Sequence, residues 1–465
     1  MLRTRGSGTK EHPPVERSSG VARFAASMLK VGAIGFGGGS ALIPILHAEL
    51  VETGDVVPAG KLSEAEFTHD TVIANITPGA LPVKMAAQAG TRLWGARGAL
   101  IGAFAVTLPG AAATTALLWL FSGLDEHAVR LIEFASIGVS AFILFLLAHY
   151  IFTVLAPGGR LTLSSLAIAV VSFLLTGTKG TVELVFGLFG ADAAKDIPAL
   201  SALGLVVGAL VAISLFTLFQ GLKGGDALRI PEDQEAAAGS RTALRAALLF
   251  ALVAVSGFAI ALLTVPSADT ATFFGLQAAS TVSSFGGGEA YVGVADSFFV
   301  TPGIESSSVF YGQIVPVANA LPGPILVKIA AALGFSVGAS SSGPLAGLAF
   351  ALASMLVTVG SCASVALLLL AGYSRAGKSL LVRNISRFIL PVICGLLLST
   401  CISLLAAAVE ITSVTAVPAP AVLSVILVLA VLSWWAKSRL RVPDLAIIAA
   451  LAAMTVVGLA WGQGA

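Results

Sequence analysis

The stretches ANITPGALPVKMAA (residues 74–87) and ANALPGPILVKIAA (residues 318–331) lie 244 residues apart and agree at eight of fourteen positions. Both write Asn-x-x-Pro-Gly-x-x-x-Val-Lys, with a lysine inside sequence otherwise suited to hydrocarbon. Pro-Gly reads as a helix break, because the residue before a proline is pushed out of the α region and glycine tolerates the tight turn. Pro82 and Pro324 then fall near the first turn of the next helix, where a missing N–H is harmless.

The composition around these stretches sets the class. Of 465 residues, 57% are hydrophobic and 11% charged, and the mean hydropathy is +0.97. The apolar residues gather into windows that reach the roughly 20 residues a bilayer-spanning helix needs. The fold class is therefore an all-α polytopic membrane protein. Residues 1–20 are polar and net basic with no short apolar core, and read as a cytosolic tail. Cys362, Cys394 and Cys401 all lie in apolar windows and read as small buried hydrophobes, not a disulfide or metal framework.

Two kinds of window alternate. Intact ones occupy residues 99–121, 129–155, 161–178, 198–222, 243–265, 344–371, 380–409, 419–435 and 443–461. Interrupted ones occupy residues 21–52, broken at Phe36-Gly37-Gly38-Gly39, and 62–94, broken at Pro78-Gly79. The same pair recurs at residues 270–300, broken at Phe285-Gly286-Gly287-Gly288, and 306–338, broken at Pro322-Gly323. Arms of about fifteen residues reach roughly 22 Å, short of roughly 30 Å of hydrocarbon, so each interrupted window is expected to be a re-entrant helical hairpin. The order implies an internal duplication: residues 21–222 form one repeat, 223–245 a cytosolic linker and 246–465 the second repeat. Five intact windows separate the two starts, and an odd number of crossings inverts the second repeat.

Positive charge supports that topology, since short cytosolic loops are enriched in Lys and Arg. With the N-terminus inside, the cytosolic segments carry Arg92, Arg97, Arg160, Lys223, Arg229, Arg241, Arg245, Arg375, Lys378, Arg383, Arg387, Lys437, Arg439 and Arg441. The opposite segments carry few: Lys179 and Lys195 among acidic residues, and Arg130 at a window edge.

Inverted repeats with discontinuous helices place substrate between half-helix ends near the midplane. The Pro-Gly tips, Pro78-Gly79 and Pro322-Gly323, would present backbone N–H groups and a positive dipole end, which suits an anion. Lys84 and Lys328 stand about one turn further on. A lysine there opposes the dipole and costs about 2.5–3.5 kcal/mol on insertion scales, so it calls for a negative partner. Two lysines related by a pseudo-twofold would match a divalent oxyanion; the alternative is a local carboxylate such as Asp70 or Glu289, or an aqueous vestibule. Asn75 and Asn319 offer amide donors to the substrate or cap a helix end. The triplets Gly37, Gly38, Gly39 and Gly286, Gly287, Gly288 either let bare backbone approach an ion or relieve crowding. Glu289 stands where the first repeat has Ser40, and with Asp70 and His69 it is a candidate carrier of a coupling proton.

The F-G-G-G element, the PG-centred element, the duplicated halves and the length together resemble the long-chain, two-repeat chromate transporter family, from about Val21 to Trp461. Phe36-Gly37-Gly38-Gly39, Phe285-Gly286-Gly287-Gly288 and Pro322-Gly323-Pro324 match that family's elements, whereas the first half departs with Pro78-Gly79-Ala80 and its proline at Pro82. The resemblance implies export of chromate, a sulfate-shaped dianion, across the bacterial cytoplasmic membrane. Moving two negative charges outward gains about 4.6 kcal/mol per 100 mV. Other readings are proton-coupled uptake of a sulfate-like oxyanion, an anion channel on the same fold, and a membrane thiol reductase using Cys394 and Cys401. The expected partners are a small inorganic oxyanion and lipid, with no nucleic acid and no cofactor; self-association into a homo-oligomer is left open.

Overall fold

The structure is a computed structural model and describes residues 14–35, 42–52, 62–156, 160–188, 200, 202–224, 237–285, 288–376, 380–413 and 417–463. Among the described residues it is helical throughout, with no strand. The first repeat runs α1 (Pro14–Ile34), α2 (Ile43–His47) with a π-helical turn (Ala48–Glu52), α3 (Glu64–Ile76), α4 (Leu81–Phe121), α5 (Glu126–Leu155), α6 (Leu163–Thr176), α7 (Thr178–Leu188) and α8 (Ala202–Gly224). After α9 (Ala237–Thr264) the order recurs: α10 (Ala268–Ser283), then α11 (Gly288–Ala295) with its own π-helical turn (Asp296–Val300). Next come α12 (Ser307–Val309), a further π-helical turn (Phe310–Ile314) and α13 (Val315–Ala320). The chain closes with α14 (Ile325–Ser342), α15 (Pro344–Ala376), α16 (Leu380–Thr412), α17 (Ala419–Arg439) and α18 (Asp444–Gln463).

The expected breaks fall where the sequence puts them. Helix α3 starts on a capping box, with Ser63 Oγ accepting from the Glu66 N–H and the Glu66 carboxylate accepting from the Ser63 N–H, and stops before Pro78-Gly79. Gly79 and Gly323 take φ +97° and +99°, a backbone region that costs a side-chain-bearing residue about 1 kcal/mol or more. A second pair of glycines bends the next helix of each repeat: Gly95 (φ +66°) inside α4 and Gly343 (φ +86°) between α14 and α15. Of the glycine triplets, Gly37, Gly38, Gly39, Gly286 and Gly287 lie outside the described residues, and Gly288 opens α11.

Seven helices are long and apolar enough to cross a bilayer among the described residues: Leu81–Phe121, His127–Leu155, Ser240–Thr264, Ile325–Ser342, Pro344–Gly372, Arg387–Thr412 and Ala419–Arg439. The chain is a multi-pass membrane protein. The window at 161–178 ends at a 63° bend between α6 and α7, and the windows at 198–222 and 443–461 are occupied by α8 and α18. Conversely, the second arm at Ile325–Ser342 is by itself span-length, and its counterpart runs on through Gly95 into α4.

Helix packing relies on small residues, since hydrocarbon outside the protein is as apolar as the side chains within. The α9–α15 pair shows the geometry: a Cβ on Gly360 would stand 2.6 Å from Ala254 N and Phe250 O, and one on Gly257 2.7 Å from Ala353 O. Large exposed apolar side chains, among them Leu252, Val255 and Leu263 on α9 and Leu215 and Leu218 on α8, face outward as a lipid belt. Gly360→Ala is expected to lower the melting temperature in detergent by an amount corresponding to about 1–3 kcal/mol, the cost of overpacking. Gly372→Ala, with open space around it, should leave the melting temperature unchanged or slightly raised.

Candidate functional site

The two Pro-Gly tips meet the helix ends of the opposite repeats. The Gly79 N–H donates to Ser284 O at 2.6 Å, and the Gly323 N–H donates to Gly35 O at 2.8 Å. Ser284 and Gly35 are the residues immediately before Phe285 and Phe36, so each tip docks on the break that opens the other repeat's first interrupted window. Side chains cannot intervene. A Cβ on Gly323 would lie 3.1 Å from Gly32 O and 3.3 Å from Gly110 Cα, and one on Gly79 would lie 2.5 Å from Cys362 Sγ.

Lys84 and Lys328 are buried one turn beyond these tips, 2% and 1% exposed. Among the described residues neither forms an ion pair, and Asp70 is held by Arg92 instead. Lys84 Nζ donates to Ala74 O at 2.5 Å and Thr77 O at 2.6 Å, and Lys328 Nζ donates to Leu321 O. Thr77 and Leu321 are equivalent positions, so both ammonium groups reach back across the break to the carbonyl end of the preceding helix. That end carries about half a unit of negative charge, enough to hold an ammonium but not to cancel it. Each ammonium has three donors; Lys84 commits two and Lys328 one.

The asparagines are spoken for locally: Asn75 Nδ2 donates to Thr71 O and Asn319 Nδ2 to Val315 O, each at 2.8 Å along its own helix. Asp70 is buried against Arg92, whose Nε and Nη2 contact its carboxylate at 2.7–3.1 Å, with His69 Nδ1 3.1 Å from the same guanidinium. This ion pair, between residues 22 apart, removes Asp70 as the alternative partner of the lysines. Glu289 lies on α11, and its side chain falls outside the described residues.

A sequence model of the family described as "Chromate transporter" matches residues 22–194 and again residues 271–459, most of the chain in two copies. The chain belongs to the chromate transporter family. Two curated relatives are similar over part of this transporter. "Uncharacterized transporter YwrB" of Bacillus subtilis is 33% identical over 106 residues, 23% of this chain and 51% of that protein. "Probable chromate transport protein" of Synechococcus elongatus is 35% identical over 100 residues, 21% of this chain and 24% of that protein. The matched stretches thus span about half of the first relative and about a quarter of the second. No solved structure matches the chain.

The protein has a second polar feature, which the sequence pattern alone did not single out. Asp296, 6% exposed, opens the π-helical turn after α11 and accepts a hydrogen bond from Ser403 Oγ at 3.2 Å. It lines a cleft of about 580 Å³ together with Lys179, Glu183 and Glu410. Tyr311 Oη lies in electrostatic reach of Asp296 yet completes no hydrogen bond of good geometry. The available signal was an aspartate inside the apolar run YVGVADSFFV.

Counting from the phenylalanine of each F-G-G-G element, the equivalent of Asp296 is His47. It sits outside the candidate spans, its Nε2 3.0 Å from Glu64 and its Nδ1 3.2 Å from Glu52, with its ring edge-on to Phe67. The hydrogen bond to Glu64, aided by both carboxylate charges, raises its pKa above the ordinary 6.5. A raised folded-state value means the stabilisation is complete below the unfolded value and fades as pH rises through the folded one. His47→Gln should therefore lower the melting temperature more at about pH 6 than at about pH 9. An equal loss at both would remove the charged imidazole from the account.

Proposed function

We propose that this protein is a secondary transporter that moves a divalent inorganic oxyanion, foremost chromate, outward across the bacterial cytoplasmic membrane. The observation that carries the reading is the pair of buried lysines at the crossed Pro-Gly tips, whose partners among the described residues are backbone carbonyls. Carbonyls leave most of each positive charge available, and a dianion arriving between the breaks supplies the missing counter-charge. Family membership and the printed name of the Synechococcus relative support an oxyanion of the chromate type.

The same reading sets the repeats in opposite orientations, with the N-terminus cytosolic. Between the two starts lie the second part of α4, then α5, the bent α6–α7 pair, α8 and α9, five crossings in all, and an odd number inverts the second copy. The half-helices then converge on one region from both sides, as alternating access requires. Outward movement of two negative charges down an inside-negative potential gains about 4.6 kcal/mol per 100 mV, which sustains a gradient of about a thousandfold. Efflux in this direction needs no coupling ion. Uptake of a sulfate-like dianion would need one, and the buried Asp296 beside Ser403 favours that second reading over one coupled through Asp70, which Arg92 already holds.

Flux of radiolabelled chromate and sulfate in proteoliposomes under a set membrane potential tests the proposal. The parent should show saturable, potential-driven flux, and Lys84→Met with Lys328→Met should bring it down to that of protein-free vesicles. Parent-like flux in the double variant would reduce the lysines to helix caps. Absence of oxyanion flux in the parent would overturn the substrate assignment itself.

A further inference from the structure

The two tip junctions are related by the duplication, yet their surroundings are chemically opposite. Registers are fixed by contacts as well as by sequence. The F-G-G-G elements are offset by 249 residues and the Pro-Gly tips by 244. On the following helices, a Cβ on Gly90 would meet Gly98 O where one on Gly334 meets Phe350 O, an offset of 252. The tips agree, since Gly79 abuts Cys362 as Gly323 abuts Gly110.

Around the Gly79 tip the second repeat contributes a polar seam. Gln277 Nε2 donates to Tyr291 Oη at 3.0 Å and to Thr358 Oγ1 at 3.3 Å, and Ser280 Oγ is 3.1 Å from Tyr291 Oη. All four side chains are fully buried. By register their counterparts in the first repeat are Met28, Val31, Leu42 and Val106, also fully buried in one apolar cluster, with Val106 against Gly32, whose carbonyl faces the Gly323 tip. The scaffold therefore fills these positions with hydrocarbon when nothing else is asked of it.

The polar set is also incomplete. Gln277 Oε1, Ser284 Oγ and Ser354 Oγ are buried without a hydrogen-bond partner, and so are both amide atoms of Gln88, one turn beyond Lys84. The counterpart of Gln88 across the Pro-Gly register is Ala332. Each orphaned group costs about 1–3 kcal/mol, a penalty the apolar repeat shows to be unnecessary for folding. The seam is continuous with the tip: Ser284 O holds the Gly79 N–H, and Cys362, four residues after Thr358, directs Sγ at Ala80 O, 3.6 Å away.

We propose that the oxyanion binds at only one of the two junctions, the one built from Lys84, Gln88 and the Gln277–Ser280–Tyr291–Thr358 seam. This inference rests on the transport reading above and locates its site. Hydroxyl and amide donors replace the hydration of a tetrahedral dianion, and Lys84 supplies charge at the edge. Lys328, in its hydrocarbon setting, contributes to the field and caps Leu321 without touching the anion.

The test substitutes seam residues by the side chains that the fold already accepts in the other repeat. Losing two neutral hydrogen bonds is worth on the order of a tenfold loss in affinity. Gln277→Met with Thr358→Val should raise the KM for chromate about tenfold, while Val106→Thr on the apolar side leaves it within about twofold. An unchanged KM in the first variant overturns the proposal. Cys362 gives a readout that needs neither folding of a seam variant nor transport: with Cys394 and Cys401 replaced by alanine, its labelling by a thiol reagent should slow in sulfate and not in chloride. If the parent moves no oxyanion, the transport reading falls, and protection of Cys362 by sulfate, phosphate or molybdate still establishes anion binding at the seam. Protection by none of them overturns it.

Discussion

The structure depends on a reciprocal pair of backbone hydrogen bonds, Gly79 N–H to Ser284 O and Gly323 N–H to Gly35 O. In hydrocarbon an irregular backbone has no water to satisfy it and survives only where protein supplies the partners. Each repeat here breaks its helices at two places, and each break would be untenable alone. Docking the tip of one repeat on the helix end of the other satisfies both at once, which makes the two repeats mutually necessary. The glycines at the tips follow from that approach: with the opposing atoms at 2.5–3.3 Å from any added Cβ, a side chain would push the junction open.

The buried lysines fit the same logic. A broken helix leaves carbonyls without N–H partners at one side of the gap and amides at the other. Lys84 and Lys328 reach back over the gap to the carbonyl side, so one long flexible side chain per tip closes the acceptor half of the break. The donor half, the first turn of α4 and α14, keeps its amides. The break thus places a positive charge beside the start of the next helix, and both the charge and the dipole favour an anion over a cation.

Much of this was legible in the sequence because it is written as local exceptions. Pro78-Gly79 and Pro322-Gly323 interrupt apolar windows, Lys84 and Lys328 stand out in hydrocarbon, and the fourteen-residue match exposes the duplication without any structure. The partners were not legible, since they depend on which helix ends face each other. Asp70 lies 14 residues from Lys84 in sequence but pairs with Arg92, which α4 brings round one helical face to meet it. The tendency to match an intramembrane lysine with a carboxylate overlooked carbonyl dipoles, which carry no signature in side-chain identity. Helix α7 was not legible either, because Lys179 and Glu183 lower the hydropathy of the stretch after Gly177.

Duplication explains the architecture, and the departure from duplication explains how it can be used. Two equal junctions would compete for one dianion, and an anion shared between equivalent sites would be held in place by whichever conformation prevailed. Divergence removes that degeneracy. One junction carries Gln88, Gln277, Ser280, Tyr291 and Thr358, the other Ala332, Met28, Val31, Leu42 and Val106, at positions matched by sequence offset and by glycine contacts. The apolar junction gains the packing energy that the polar one forgoes, about 0.8 kcal/mol for each methylene buried. The less stable half is therefore the half with unmet hydrogen bonds. Local opening of a packed protein starts where stability is lowest, so on the proposed assignment the place that recognises an anion and the place that yields to let one through coincide.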